Sequence, residues 1–371
     1  MIAQSLLKEI DRGREGKNHG FSMGLPKLES VIDGVMKSTS TLLFSTTGSG
    51  KSSLALYAFV YRPLCDHLED GNFKVSYYSL EMSADMIFGK LLSMYMFEKY
   101  GIDVSIKELL SRRKDYILPD EIYEMVKESM EWLKKVENVI TIYDKTCNAD
   151  VIYASLMKEL EKEGKFEELK NRKIYTPNNP NLIHLVVIDH ISLLQPKSPR
   201  KLKEEIDLTS AYLVTLRNMC GISPLIIMQA NRESGSMDRR KFGLNNLRID
   251  DTKDSGNVAQ DSEVIISIFN PHREKLNSYN EYDISILGDK FRSITVLKNR
   301  DGDRDVEVGC NFFGHNGMWK ELPRANQIFD FTKYTDPAYL LVNNDDDEII
   351  DNTKDVPDEL LEEKPKMTFK L

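Results

Sequence analysis

Cysteine is scarce in this chain of 371 residues: there are four, Cys65, Cys147, Cys220 and Cys310. They lie too far apart for a local zinc site and are too few for a disulfide framework, so we read all four as packing residues of a reducing compartment. Long apolar runs are also lacking. No stretch of about eighteen apolar residues exists, and Met1–Asp11 has neither the long apolar core nor the cleavage site of a secretion signal. These absences exclude a membrane-spanning helix and lead us to expect a cytoplasmic protein. Positive charge is in deficit too, with 50 Lys and Arg against 59 Asp and Glu, a formal net charge of −9. At first this argues against a nucleic-acid partner. The excess is concentrated, however: residues 343–371 hold ten acids and four lysines, a net −6, which leaves −3 for the other residues. Clustered like charge and low hydrophobicity make 343–371 read as a disordered acidic tail, with Met367–Leu371 as an apolar end for docking.

What is present is an alternation of short apolar runs and helical patterns. The runs Thr41–Phe44, Lys74–Ser79, Val139–Tyr143, Leu185–Ile188, Pro224–Met228 and Val264–Phe269 are separated by helical stretches, which predicts an α/β fold with a mostly parallel central sheet. The stretch from Met94 to Glu168 reads as mostly helical and charged. Ser293–Lys298 and Val306–Phe313, around Asp301-Gly302, read as a hairpin at the sheet edge. At the N-terminus Ile2, Leu6, Leu7 and Ile10 share one face of a short helix. The resulting division is a helix and tether over 1–20, one domain over 21–342, and the tail.

Residues 45–52 read Ser-Thr-Thr-Gly-Ser-Gly-Lys-Ser between a strand and a helix. A glycine-containing turn there points backbone N–H groups inward at a helix N-terminus, which is a phosphate-binding loop. Thr47, Gly48, Ser49, Gly50, Lys51, Ser52 and Ser53 are the candidate binding residues. Lys51 would reach the β- and γ-phosphates, and the Ser52 hydroxyl would ligate Mg²⁺. Ser45 stands where the usual pattern begins with glycine. Three further strands end in polar groups. Leu185–Ile188 ends in Asp189, suited to the Mg²⁺ side of such a loop. Val75–Leu80 ends in Glu81, a carboxylate able to activate water or simply to favour the start of a helix. Pro224–Met228 ends in Gln229, an amide able to bond the γ-phosphate or the attacking water.

In combination, Ser79–Met86 (SLEMSADM), Val187–Leu194 (VIDHISLL), Gln229–Arg232 (QANR), Asp251–Val264 (DTKDSGNVAQDSEV) and Leu297–Gly302 (LKNRDG) resemble the motor domain of DnaB-family replicative helicases, over Phe21–Phe313. The resemblance implies a RecA-like P-loop NTPase preceded by a short linker helix. It implies a homo-hexameric ring that hydrolyses ATP with Mg²⁺, translocates on single-stranded DNA and unwinds duplex at the replication fork. It assigns Lys51 and Ser52 to phosphate and Mg²⁺, Asp189 to Mg²⁺, Glu81 to the catalytic base and Gln229 to the γ-phosphate. Lys298 and Arg300 match the pair that acts on the neighbour's ATP. DNA contacts fall on Lys253, Gly256 and Asn257, with Arg239, Arg240 and Lys241 as a further basic cluster, and Lys197, Arg200, Lys201 and Lys203 as another that reads equally as solvated loop.

The chain departs from the family in two respects. Lys253 and Asp254 stand where Arg and Glu are usual, which keeps the charges and loses a bidentate fork. Only about twenty residues precede Phe21, so we expect no helical collar domain, as in a compact phage-encoded version. Primase, a helicase loader or a polymerase reached through the tail are the expected partners. A RecA/RadA-like recombinase and a nucleotide-dependent loader or scaffold are the competing readings.

Overall fold

The computed structural model describes residues 2–169, 172–231 and 246–341. Its strands are β1 (Thr41–Ser45), β2 (Phe73–Ser79), β3 (Ile140–Tyr143), β4 (Gly164–Leu169), β5 (Arg172–Pro177), β6 (Ile183–Asp189), β7 (Ser223–Gln229), β8 (Val264–Phe269), β9 (Ser278–Tyr279), β10 (Tyr282–Asp283), β11 (Phe291–Asn299), β12 (Val306–Phe313) and β13 (Met318–Glu321). Nine of them form one sheet in the order β13-β12-β11-β8-β1-β7-β6-β2-β3. From β8 to β3 every pairing is parallel, whereas β11, β12 and β13 run antiparallel to their neighbours. This is the mostly parallel sheet that the alternation of runs predicts.

Parallel strands need covered faces on both sides, and β1, β6 and β8 accordingly read as apolar runs buried along their whole length. On one face Leu43, Tyr77, Val187 and Ile227 pack among the helical stretches that include Ala55–Tyr61 and Ala84–Tyr100. On the other, Phe44, Tyr78, Val186 and Met228 meet the helices Ala149–Glu163 and Leu202–Cys220. Neighbouring residues of one strand serve opposite cores, as the period of two requires.

The structure corrects two local expectations. The stretch read as helical to Glu168 ends instead in β4, which pairs with β5 in a separate hairpin. Lys165–Leu169 could satisfy its backbone only by finding β5, a pairing that local helical spacing does not reveal. The hairpin of β11 and β12 is present but does not form the sheet edge, because β13 pairs outside β12. The tail 343–371 lies outside the described residues. Among the described residues no helix is long and apolar enough to cross a membrane. Cys65, Cys147, Cys220 and Cys310 are all free.

One polar cluster is built into the second core. His184 on β6 lies between two carboxylates of the helix Ala149–Glu163: its Nδ1 is 2.8 Å from Glu163 Oε2 and its Nε2 is 3.4 Å from Glu159 Oε2. Lys74 Nζ on β2 is 2.6 Å from Glu163 Oε1, while Ser76 and Tyr143 donate hydroxyl protons to Glu159. With His184 protonated the four charges cancel, which is what makes such burial tolerable. Burial by itself disfavours every one of these charges. The hydrogen bonds more than offset it, raising the His184 pKa and pulling Glu159 down to about 2.

Candidate active site

Because β1, β7, β6 and β2 are consecutive and parallel, their C-terminal ends share one edge of the sheet, where an open α/β sheet places its ligand crevice. The phosphate loop follows β1, Gln229 ends β7, Asp189 ends β6 and Glu81 lies just past β2. Register tightens the grouping: Ser45 pairs with Gln229, and Ser79 with Asp189. The sequence-predicted set at 45–53, 81, 189 and 229 is thus brought together.

The loop itself is held by specific contacts. Gly48 and Gly50 have φ of 74° and 103°, which side-chain-bearing residues rarely adopt. A Cβ on Gly50 would also come within 2.9 Å of the Trp319 ring. Ser45, in the place usually held by glycine, is fully buried and its hydroxyl donates to the Thr46 carbonyl at 2.9 Å. Thr46 and Ser49 hydroxyls share a 2.9 Å bond. Lys51 Nζ donates to the carbonyls of Ser45 (3.3 Å) and Thr46 (3.2 Å). Burial lowers the Lys51 pKa, and the Asp189 and Glu81 charges act against that.

Asp189 is 1% exposed. It accepts a bond from Ser52 Oγ at 3.0 Å on one oxygen and from Tyr77 OH at 2.7 Å on the other. Burial raises its pKa despite those bonds. No side-chain cation forms an ion pair with it among the described residues, so its donor set is two hydroxyls. A buried carboxylate beside a serine hydroxyl, with no protein cation paired to it, suits a hard divalent cation such as Mg²⁺. Glu81 is exposed at the crevice. Gln229 Nε2 donates to Thr47 Oγ1 at 2.6 Å, and Ala230 N to the Ser45 carbonyl at 2.9 Å, so the end of β7 is fastened to the loop.

Other predicted residues lie elsewhere. Lys298 and Arg300 are at the far end of the sheet: Asn299 pairs with Val264, which pairs with Thr41, the first residue of β1, whereas the loop follows Ser45, the last. Four strand steps of about 3.3 Å separate those ends by roughly 13 Å. Lys298 Nζ donates to the Ala259 and Gln260 carbonyls at 3.1 Å each, and Arg300, 67% exposed, is 3.3 Å from Glu263. Lys253 lies in the 3₁₀ turn Ile249–Ser255, Gly256 opens the helix Gly256–Asp261, and Asn257 follows, exposed. Arg239, Arg240 and Lys241 fall outside the described residues. Lys197 and Arg200 both pair with Asp150, at 3.2 and 2.8 Å, and Arg200 also with the buried Glu205 at 3.0 Å, which gives them structural work.

Two arginines touch the loop that the sequence did not single out. Arg273 Nη1 donates to the Thr47 carbonyl at 2.8 Å and lies so close to Gly48 that a Cβ there would be 2.1 Å away. Arg292, buried on β11, donates from Nε to the Ser49 carbonyl at 2.9 Å. Burial lowers its pKa to about 10, even with Asp289 opposing the shift. Neither lies in a motif, and both arrive through long-range packing, so no sequence signal was available for them.

Comparison with known proteins agrees with this geometry. No curated protein is similar enough in sequence to be matched. Among solved structures, the ATPase domain of a DnaB-like helicase superposes with a TM-score of 0.66 at 18% identity, covering 87% of this chain and 99% of that one. A DnaB-like replicative helicase, described with its interactions with primase, gives 0.62 at 18% identity over 87% of this chain and 67% of that one. At such identity they share the RecA-like fold. The family model of the DnaB-like helicase C-terminal domain matches residues 20–319, and the chain belongs to that family of ATP-hydrolysing helicase motors.

Proposed function

We propose that the chain acts as a ring of identical subunits, a hexamer, that moves along single-stranded DNA and separates duplex at the replication fork, with each ATP held between two neighbours. The observation that carries this reading is the distance between Arg300 and its own phosphate loop. A guanidinium at the opposite end of the sheet cannot serve its own site, but it is exposed and can serve the next one. Supporting it, Leu6, Leu7 and Ile10 of the helix Ile2–Arg14 are 59%, 57% and 51% exposed, an apolar face that a neighbouring subunit would cover. Residues 1–20 would then be a linker, 21–342 the motor and 343–371 a tail available to primase, a loader or a polymerase.

In this reading the loop amides from Thr47 to Ser53 and Lys51 hold the phosphates. Ser52 and Asp189 would hold Mg²⁺, which when bound neutralises charge on the phosphate oxygens. Glu81 takes the proton of the attacking water. Gln229 bonds the γ-phosphate and, through Thr47 and the segment after β7, relays its loss toward Lys253, Gly256, Asn257 and the Arg239–Lys241 cluster at the DNA. Lys298 and Arg300 of one subunit stabilise charge on the neighbour's transferring phosphoryl group. The test is ATP hydrolysis with and without single-stranded DNA, using Lys51→Ala as the blank. Stimulation by DNA supports a coupled motor; hydrolysis indifferent to DNA refutes the translocation reading.

A further inference from the structure

His190 follows Asp189 at the end of β6, and the roles assigned to Glu81 and Asp189 leave it without a task. Its position is unusual. Ser79 pairs with Asp189, and Leu80 N donates to the Asp189 carbonyl at 2.7 Å, so the chain just past β2, which carries Glu81, runs beside the chain just past β6, which carries His190. The imidazole is half-buried in the crevice, within range of the Asp189, Glu81 and Lys51 charges. Its Nδ1 is enclosed by protein, with no hydrogen-bond partner. A buried ring nitrogen without a partner is costly unless some state of the protein uses it.

We propose that His190 is a positioning residue for ATP hydrolysis, its imidazole hydrogen-bonding the Glu81 carboxylate and so fixing the direction in which Glu81 addresses the attacking water. Glu81 is exposed and has no hydrogen bond of its own among the described side chains, so nothing else in its surroundings holds its rotamer. A base that wanders among rotamers is rarely aligned, and a neighbouring ring on the adjacent strand is the available restraint. His190 needs no change of protonation for this. The neutral ring donates one hydrogen bond through whichever nitrogen carries the proton.

The inference rests on Glu81 being the base, and the experiment separates the two. ATP turnover and nucleotide affinity are measured on the full chain with single-stranded DNA for His190→Ala, His190→Asn, Glu81→Gln and the double variant Glu81→Gln/His190→Ala. We expect His190→Ala to lower kcat by about 10- to 100-fold, part of what acid–base catalysis contributes, with KM and affinity within about twofold. His190→Asn, which keeps a hydrogen-bonding side chain, recovers most of the loss. The double variant is no slower than Glu81→Gln, because a restraint on Glu81 has no further effect once the carboxylate is gone. Loss of affinity or a raised KM with kcat intact, equal loss in His190→Asn, or losses that multiply in the double variant would each overturn the proposal. If His190→Ala does not fold, His190→Asn and its double with Glu81→Gln decide by the same criteria. Normal turnover in Glu81→Gln would instead refute the assignment of the base.

Discussion

Mixing two inactive variants should restore turnover. Arg300→Ala removes the guanidinium offered to the neighbour and leaves its own loop intact; Lys51→Ala disables the loop and leaves Arg300 in place. Within one subunit these groups are separated by the length of β1, roughly 13 Å plus the turns beyond it, so neither can replace the other in cis. An arginine in this role contributes roughly 10³–10⁵ in rate, or about 4–7 kcal/mol of transition-state stabilisation, so each variant alone is essentially silent. In equimolar mixed rings about half of the sites carry an intact loop, and about half of those face an intact Arg300. Turnover should therefore reach about a quarter of wild type per subunit, given random assembly of a cyclic oligomer. The assay is steady-state phosphate release with single-stranded DNA, after the two variants are mixed and reassembled and their ring size is checked by light scattering. Activity equal to the sum of the separate variants, with mixed rings demonstrated, would refute the trans assignment.

Glu81→Gln should bind ATP and assemble normally while turnover falls about 10²- to 10⁴-fold, the range for removing a general base; unchanged turnover in a phosphate-release assay removes Glu81 from that role. Glu205→Ala should cost about 3–5 kcal/mol in urea unfolding, because Glu205 is fully buried and accepts from the Ala149 and Lys197 amides while pairing with Arg200; a loss under about 1 kcal/mol would contradict that account. The His184 cluster gives stability a defined pH window. His184 has a raised folded pKa, so its contribution is complete below the ordinary value of 6.5 and is lost as pH rises through the raised one. Glu159 is depressed to about 2, so its contribution is present above the ordinary 4.5 and is lost as pH falls toward that value. Thermal unfolding should therefore be most favourable to the native state between about pH 5 and 6.5 for this cluster, and His184→Gln should flatten the alkaline decline; an identical alkaline slope in the variant would count against it.

The legible part of the molecule is the part whose chemistry sits at strand ends. Lys51, Glu81, Asp189 and Gln229 were identifiable because an apolar run ending in a polar residue announces both a buried strand and what it presents. Order in the sheet then converged them. Harder to see were contacts made across the fold. Arg292 looks like any polar residue of an edge strand, yet it is buried against the Ser49 carbonyl, because β11 pairs with β8 next to β1. The β4–β5 hairpin was hidden for the same reason, since the helix-forming Glu and Lys of that stretch pair only through a partner further along the chain. His184 and Glu159 are 25 residues apart in sequence, and nothing local indicates that they meet.

The buried polar cluster of Lys74, Glu159, Glu163 and His184 also bears on accuracy. A well-packed apolar replacement could be as stable or more so, since burying charges returns little net free energy. But β2 and β6 are nearly featureless apolar ribbons, VSYYS beside LVVID, and such ribbons slide past one another with little penalty. A slip of one residue would turn Asp189 away from Ser52 and carry Glu81 out of line with it. Lys74, Ser76 and His184 sit near the starts of those two strands, and their bonds to one helix can close in one alignment only. The cluster is a registration pin: set at one end of the strands, it fixes where two carboxylates stand at the other.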